Sequence, residues 1–302
     1  VTRETNDSST NLSEDSTTIV DGFTIVNGHV GSENGGGILI EYSSPTIINS
    51  TIESCYGYNG GGFYVGAEAN PVFINCIISN NGYLNGDRTI NGGNGYVFNG
   101  SFSMSNSYVQ NGTAESMAAG ISISGADASA IFSNCSFTNN DLYSGANRAG
   151  AIYCSSGQMQ IEASYFEGNN GMLGGGAIVA QNADVHIFES VFENNSVSSY
   201  GSGGAIYSSG GSLIIDRSKF LYNQTDYNGT NSEGSALCVY GYFKLTNSLV
   251  ARNRGYRYPG IYYAGDDSLI VEHSTIVFND ANYESYDGGA DIYFGSGSTA
   301  TY

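Results

Sequence analysis

The chain has 302 residues, is rich in Gly and Tyr, and carries a formal net charge of −19 from 28 acidic and 9 basic side chains. This charge argues against a nucleic-acid partner, because phosphates require a basic surface, and it disfavours anionic membranes. The sequence contains no apolar run of about 18 residues, so no membrane-spanning helix is expected.

The first segment, residues 1–16, is polar and shows no hydrophobic periodicity. We predict that it forms a flexible arm. A sequence repeat then continues without a break, so residues 17–302 are interpreted as a single domain. Because the chain begins at Val1 and shows no signal peptide, we interpret it as a mature product or an excised segment.

The repeat has two parts and recurs roughly every 26–30 residues. The first part reads Gly-Gly-small-apolar and ends at Ile38, Phe63, Ile121, Ile152, Ile178, Ile206, Leu237 and Ile261. The second reads aromatic or aliphatic-x-x-Asn and ends at Asn81, Asn111, Asn140, Asn169, Asn195, Asn223, Asn253 and Asn279, after degenerate copies ending at Gly28 and Cys55. Such short units cannot bury a core alone, so they must stack.

Within each repeat, apolar residues alternate with polar ones, counted from the final Asn as position zero. Positions −10 and −8, and again the residues after the Gly pair, show the period of two that is typical of strands with one buried face. A small residue at −5 predicts a bend. Stacked Asn side chains predict an asparagine ladder at one corner, and the Gly pair supplies backbone freedom at another.

The pairing of GGA-I with F-x-x-N resembles the repeats of chlamydial polymorphic outer-membrane proteins. The opening IVDGFTIVNG, with GGGILI and SSPTIINSTI, is similar to secreted proteins of the pectate-lyase-like superfamily. Both resemblances cover about residues 17–297 and imply an all-β, right-handed, single-stranded parallel β-helix, here of about ten coils. That superfamily holds lyases, hydrolases, adhesins and structural proteins, so the fold does not set the activity.

Polygalacturonate hydrolases of this fold resemble one another in Asn-Thr-Asp, Asp-Asp, Gly-His-Gly and Arg-x-Lys clusters. This chain lacks the first and the last, and its Asp266–Asp267 pair is far in sequence from the Gly28-His29-Val30 segment. General acid–base catalysis needs groups within hydrogen-bond reach. We therefore predict no catalytic residues and no cofactor.

Charged side chains offer three weaker candidates. Glu167 and Glu193 share position −2 in neighbouring coils and either hold a cation or stay solvated. Glu189 and Arg217 share position −6, which predicts a surface salt bridge. The third is a basic cluster near Lys244, formed by Arg252, Arg254 and Arg257.

Tyrosine is the better indication of a binding surface. There are 24 Tyr and no Trp, and Tyr64, Tyr153, Tyr207 and Tyr262 occupy outward positions directly after the Gly motif. Exposed Tyr suits contact with glycans or proteins, although it also suits ordinary strand surfaces. Glycosylation sequons occur at Asn6, Asn11, Asn49, Asn99, Asn111, Asn134, Asn194, Asn223 and Asn228. Most of the five Cys are expected to be small buried side chains, and no disulfide framework is expected.

These observations favour an extracellular or cell-surface β-helix rod that is noncatalytic and has a structural or adhesive role. Its expected partners are a glycan or a ligand on a neighbouring cell, and a second copy of the chain in a head-to-tail homopolymer. The alternatives are a polysaccharide-processing lyase or glycoside hydrolase, and a glycan-binding module, of the same fold.

Overall fold

The computed structural model describes residues 17–84, 86–143, 148–198, 201–225, 232–265, 268–281 and 291–295, and the backbone of 299–300. The predicted arm, residues 1–16, lies outside this range. The described chain winds into a parallel β-solenoid of about nine turns and contains no helix, in agreement with the predicted fold class and coil number. No described segment forms a helix long and apolar enough to cross a membrane.

Each full turn contains up to four short strands, which we number by row. The first row follows the Gly motif: Ile38–Ile40, Phe63–Val65, Gly95–Phe98, Ile121–Ser124, Ile152–Ser155, Ile261–Tyr263 and Ile292–Phe294. The second row contains Ile19–Asp21, Thr46–Ile48, Val72–Ile74, Ser101–Ser105, Ser129–Ser133, Gln158–Glu162, Ser268–Glu272 and Thr299–Ala300. Three long strands, Ile178–Phe188, Ile206–Asp216 and Leu237–Thr246, run through both rows and join them into one sheet.

The third and fourth rows form separate parallel sheets. The third row contains Thr24–Val26, Thr51–Glu53, Ile77–Ser79, Tyr108–Gln110, Ser136–Thr138, Tyr165–Glu167, Val191–Glu193, Lys219–Leu221, Leu249–Ala251 and Thr275–Val277. The fourth contains Thr113–Ala114, Asp141–Leu142, Asn170–Gly171, Ser196–Val197, Gln224–Thr225, Arg254–Gly255 and Asp280–Ala281. Tyr83–Leu84 pairs with Asp87–Arg88 in a small antiparallel hairpin outside the solenoid sheets.

Aliphatic and aromatic side chains from the sheets fill one continuous core along the solenoid axis. In its centre, four third-row Phe residues stack almost parallel, with ring centroids 4.6 to 4.8 Å apart: Phe137, Phe166, Phe192 and Phe220. This spacing matches the distance between neighbouring strands, so each ring lies directly over the next. Full burial of one such side chain contributes about 1.5–3 kcal/mol to folding.

The predicted asparagine ladder is present at the corner between the third and fourth rows. Each ladder Asn accepts the backbone N–H and the side-chain Nδ2–H of the Asn one turn earlier, as Asn195 does from Asn169 at 3.1 and 2.9 Å. Its own Nδ2 also donates to a main-chain carbonyl one turn earlier, here that of Phe166 at 3.0 Å. The same pattern joins Asn140, Asn169, Asn195, Asn223, Asn253 and Asn279, and Asp291 accepts the final bonds.

The prediction that Asn111 belongs to this ladder is wrong. Gly112 occupies the ladder position in that turn, where its backbone N–H donates to Asn140 Oδ1 at 3.0 Å, and Asn111 is exposed. The missing amide comes instead from Asn94, which accepts from Asn81 at 3.0 Å and donates to Asn140 at 3.0 Å. A Cβ on Gly112 would lie 2.5 Å from Asn94 Nδ2. The side chain of Asn94 can therefore occupy the ladder column only because residue 112 is a glycine.

This one-residue offset also corrects the predicted strand register of that turn. Counting from Asn111 places Ser101 and Ser103 in the core, whereas Phe102 and Met104 are the buried residues. A shift of one position moves every strand side chain to the opposite face. The degenerate copies do reach the ladder column, since Cys55 donates its backbone N–H to Asn81 and its Sγ faces the backbone N–H of Gly28.

The bend at position −5 carries a second ladder, which is built from Ser and Cys. Each Ser Oγ accepts the backbone N–H of the residue one turn earlier and donates to the carbonyl two residues before it, as in Ser190. Cys76 and Cys135 occupy the same column, separated by Ser107, and all five Cys are free and buried as predicted. At both corners the residue before the ladder position has a positive φ, which explains the frequent Asn there.

The Gly motif combines two requirements. Gly175 has a φ of 52°, in agreement with the predicted backbone freedom. The following Gly176 is needed for close approach, because a Cβ there would lie 2.1 Å from the carbonyl oxygen of Gly204.

Candidate binding surface

The four predicted contact tyrosines lie in one column of the first row, but they are not equally accessible. Register joins Tyr153, Val179, Tyr207, Cys238, Tyr262 and Tyr293 in successive turns. Tyr64 and Tyr153 are only 7% and 2% exposed, although both point away from the core. Tyr207 and Tyr262 are partly exposed, so a contact surface is limited to the C-terminal part of the column.

Neighbouring side chains explain this burial. Tyr64 stacks on Tyr96 with ring centroids 5.7 Å apart, and burial raises the pKa of Tyr64 to about 12. Tyr153 packs in a small second hydrophobic cluster with Ala118, Ala149 and Val179. Outward orientation in the sequence pattern therefore did not mean contact with solvent.

Five partly exposed tyrosines form a contiguous group on the outer face of the first row. We call Tyr207, Tyr240, Tyr258, Tyr262 and Tyr293 the tyrosine cluster. Ring centroids are 5.9 Å apart for Tyr207–Tyr240, 5.8 Å for Tyr240–Tyr262, 5.4 Å for Tyr262–Tyr293 and 3.7 Å for Tyr258–Tyr293. The group thus crosses four successive turns and presents several ring surfaces beside one another.

Glu233 lies within reach of this cluster. The Tyr240 hydroxyl donates to Glu233 Oε2 at 3.4 Å, and partial burial raises the pKa of the Glu233 carboxyl while hydrogen bonds from Tyr262 and Tyr240 oppose that shift. Burial, followed by the charge of Glu233, raises the pKa of Tyr262 to about 12. The phenol of Tyr262 therefore stays protonated at neutral pH and remains a hydrogen-bond donor.

Arg148 lies on the other side of Tyr207 and was not singled out by the sequence. Its Nη1 donates to the Tyr153 hydroxyl and to Gln181 Oε1, and its guanidinium carbon lies 5.0 Å from the Tyr153 ring centroid. The backbone φ of Arg148 is 137°, a region that residues other than Gly rarely adopt. A pocket of about 180 Å³ opens beside it, and Leu173, Val179, Gln181 and Tyr207 contribute to its lining.

The predicted acidic pair is adjacent as expected. Glu167 and Glu193 are direct neighbours in parallel register, and the Tyr165 hydroxyl donates to Glu193 Oε2 at 3.0 Å. Burial, with the hydrogen bond to Glu193 as the next cause, raises the pKa of Tyr165. Within the described part of the chain, no group of three or more His, Cys, Asp or Glu residues could hold a metal ion.

The predicted salt bridge between Arg217 and Glu189 is confirmed at 3.5 Å, and Arg217 also contacts Asp216 at 3.2 Å. The predicted basic cluster has separate partners: Arg252 donates to the Tyr222 hydroxyl, Arg254 contacts Asp280 at 3.6 Å, and Arg257 bridges to Glu233 through the backbone. His29 contacts Asp87 at 3.0 Å, and Asp266–Asp267 lies outside the described residues.

A second surface, which the sequence reasoning also missed, lies on the outer face of the second row. A groove of about 360 Å³ is lined by residues that include Gln158, Gln160, Asp184 and His186. Asp184 accepts the Ser212 hydroxyl at 2.6 Å and the Ser212 backbone N–H at 3.1 Å. Strand alternation alone would have placed Asp184 and His186 on one face.

The sequons differ in accessibility. Asn223 is fully buried in the ladder, so its amide is closed to modification in the folded chain. The sequons at the surface, exposed or partly exposed, are Asn49, Asn99, Asn111, Asn134 and Asn194. Asn6, Asn11 and Asn228 lie outside the described residues.

Comparisons of the chain with protein-family models, with curated proteins and with solved structures found no match.

Proposed function

We propose that this chain is a noncatalytic, secreted or surface-displayed β-solenoid that binds carbohydrate through the tyrosine cluster, in an adhesive role. The observation that carries the proposal is the contiguous set of partly exposed rings across four turns, with Glu233 beside them. Tyr provides a large rigid contact area with a hydroxyl at its edge, which suits sugars that offer apolar faces and hydroxyl groups. The relationship to the pectate-lyase-like superfamily and to the chlamydial repeats forms part of this proposal.

A rigid solenoid suits this role. The two ladders and the continuous core fix each turn against its neighbours, so rings contributed by separate turns keep their spacing. Little conformational entropy is then lost at the protein surface when a ligand binds, which favours affinity.

The test is a glycan array followed by affinity measurement for the strongest ligand. Tyr262→Ala and Tyr293→Ala should each lower the affinity by about tenfold, as loss of a central aromatic contact does at other interfaces. Tyr108→Ala is the matched control, because Tyr108 is 51% exposed on the third row, outside the cluster. Absence of any bound glycan, or an equal loss in the control, would contradict the proposal.

A second candidate function is polysaccharide processing in the second-row groove. The observation in its favour is a carboxylate, Asp184, and an imidazole, His186, on the same face of one strand. Incubation with acidic polysaccharides should then release new reducing ends or unsaturated products. Asp184→Asn and His186→Ala should each abolish that release, and persistence of activity in both variants would exclude the groove as the active site.

We also propose that copies of the chain associate head to tail. Ile19, Phe23 and Val26 in the first described turn are 46–61% exposed, and such apolar side chains favour association. Light scattering should show a mass that rises with concentration and a smaller rise for Phe23→Ser. A constant monomer mass up to high concentration would contradict this association.

A further inference from the structure

We propose that the Arg148 pocket binds the carboxylate of a glycan that ends in a single acidic sugar. This inference rests on the proposed carbohydrate-binding function and names the ligand class for the same surface. The pocket and the tyrosine cluster share Tyr207, so one ligand can contact both.

The first argument is the state of the Arg148 guanidinium. Its Nη1 is occupied by two neutral acceptors, the Tyr153 hydroxyl and Gln181 Oε1, and the described residues provide it with no carboxylate partner. A guanidinium carries five N–H donors in a planar fork. The Nε–Nη2 edge is therefore available for the two parallel hydrogen bonds that a carboxylate accepts.

The second argument is that the guanidinium is held in place before any ligand binds. Tyr153 is buried, and its hydroxyl donates to Gln181 Oε1 at 2.8 Å, so the two acceptors of Arg148 also bind each other. The Tyr153 ring below the guanidinium adds a cation–π contact at 5.0 Å. A fixed donor loses less entropy on binding than a flexible surface side chain does.

The third argument is the distribution of charge along the surface. Burial raises the pKa of Tyr207, while the positive charge of Arg148 acts in the opposite direction and Glu233 acts with burial. Arg148 and Glu233 therefore influence Tyr207 with opposite signs. A ligand with its acidic group at Arg148 and its neutral sugars along the tyrosine cluster places its negative charge beside the positive Arg148 and keeps it away from the negative Glu233.

The net charge of the chain limits the ligand further. With a net charge of −19, the molecule repels polyanions. A polymer with a carboxylate on every sugar therefore gains less binding free energy than a ligand with one terminal carboxylate. The surface of the pocket includes the apolar side chains of Leu173 and Val179, which can contact the ring that carries the carboxylate.

The experiment uses the folded chain and three probes: 3′-sialyllactose, the same glycan with its carboxyl converted to an amide, and lactose. We expect 3′-sialyllactose to bind about tenfold tighter than the other two, as a charge-assisted bidentate contact predicts. Arg148→Gln should remove this difference, and Arg148→Lys should restore it only in part. Arg252→Gln is the matched control, because Arg252 also pairs with a Tyr hydroxyl but is exposed.

The outcomes separate the two proposals. If lactose and both forms of 3′-sialyllactose bind with equal affinity, the Arg148 assignment is wrong and carbohydrate binding stands. If the acid is preferred but Arg148→Gln keeps that preference, the carboxylate binds elsewhere. If none of the probes binds, the Arg148 assignment is wrong. If no glycan on the array binds either, the proposed carbohydrate-binding function is wrong as well. The comparison of acid and amide needs only the wild-type chain, so equal affinities for the two overturn the assignment even where a variant fails to fold.

Discussion

At the scale of single residues, the substitution of Asn94 for a ladder Asn is the clearest departure from the repeat. Asn94→Ala should leave the Asn81 Nδ2 and Asn140 Oδ1 bonds unmade, together with the bond that Asn94 donates to the Gln110 carbonyl. Each of these three groups keeps one other hydrogen bond, with Ile52 O, Gly112 N–H and Asn80 N–H respectively, so each lost bond costs about 0.5–1.5 kcal/mol. We expect the free energy of unfolding, measured by urea denaturation, to fall accordingly.

Asn111→Gly is the control for this prediction, because glycine keeps the positive φ of Asn111 and removes only an exposed side chain. Its stability should stay close to that of the wild type. A larger loss in the free energy of unfolding for Asn111→Gly than for Asn94→Ala would show that Asn111 belongs to the ladder after all.

The same turn shows what the sequence could predict at this scale. Seven of the eight ladder positions followed from the spacing of the aromatic-x-x-Asn motif, but Tyr108-x-x-Asn111 satisfies that motif one residue early. Only the hydrogen bonds distinguish Gly112 from Asn111, and Asn94 is 18 residues earlier in another corner of the coil. Arg148 was missed for a related reason, since its role comes from contacts with Tyr153, five residues later, and with Gln181 in the next turn.

A second residue-scale prediction concerns the buried thiols. Burial raises the pKa of Cys135 to about 11 from an ordinary value of 9.0, so the unfolded chain releases this proton at lower pH than the folded chain does. Above pH 9, the unfolded state therefore binds fewer protons, and stability falls until the pH passes the folded pKa. The contribution is fully present below pH 9.

Cys135→Ser tests this effect with little disturbance, because Ser occupies the same corner in the neighbouring turns as Ser107 and Ser164. Urea denaturation at pH 8 and pH 10.5 should show a smaller alkaline loss of stability for the variant than for the wild type. Equal losses would mean that this thiol does not contribute.

At the scale of the strand, the third row separates core from surface within three residues. Phe192 is fully buried in the stack between Phe166 and Phe220, while Glu193 lies on the outer face. Phe192→Ala should lower the free energy of unfolding by about 3–5 kcal/mol, as large core truncations do. Glu193→Ala should change it by less than about 1 kcal/mol, and reversed effects would place the strand one residue out of register.

Strand alternation predicted these inward positions because one buried face leaves a period of two in the sequence. It could not predict the accessibility of the outward face, and Tyr153 shows why. Tyr153 points outward, but Ala149 from its own turn and Ala118 and Val179 from the two neighbouring turns pack around it. Such cover depends on the lengths and paths of the corners, which the strand pattern does not contain.

At the scale of the whole molecule, parallel register aligns the repeats so that side chains of similar type form columns along the solenoid. Where the column is polar and uncharged, as in the Asn and Ser ladders, every turn adds a hydrogen bond. Where it is charged, every turn adds repulsion, because like charges directly opposite one another destabilise neighbouring strands. With 28 acidic and 9 basic side chains, this repulsion should be a general feature of the surface.

Glu167 and Glu193 allow a direct test of that repulsion. Glu167→Gln should raise the free energy of unfolding by about 0.2–1 kcal/mol at low salt, because it removes one of two adjacent carboxylates. The gain should shrink between about 0.01 and 0.15 M NaCl, as the screening length falls from about 30 to 8 Å. Glu53→Gln is the matched control, since Glu53 has Val26 and Ser79 as its neighbours in the same column. If millimolar calcium stabilises the wild type but not Glu167→Gln, at matched ionic strength, the pair binds a cation and the repulsion argument fails at this site.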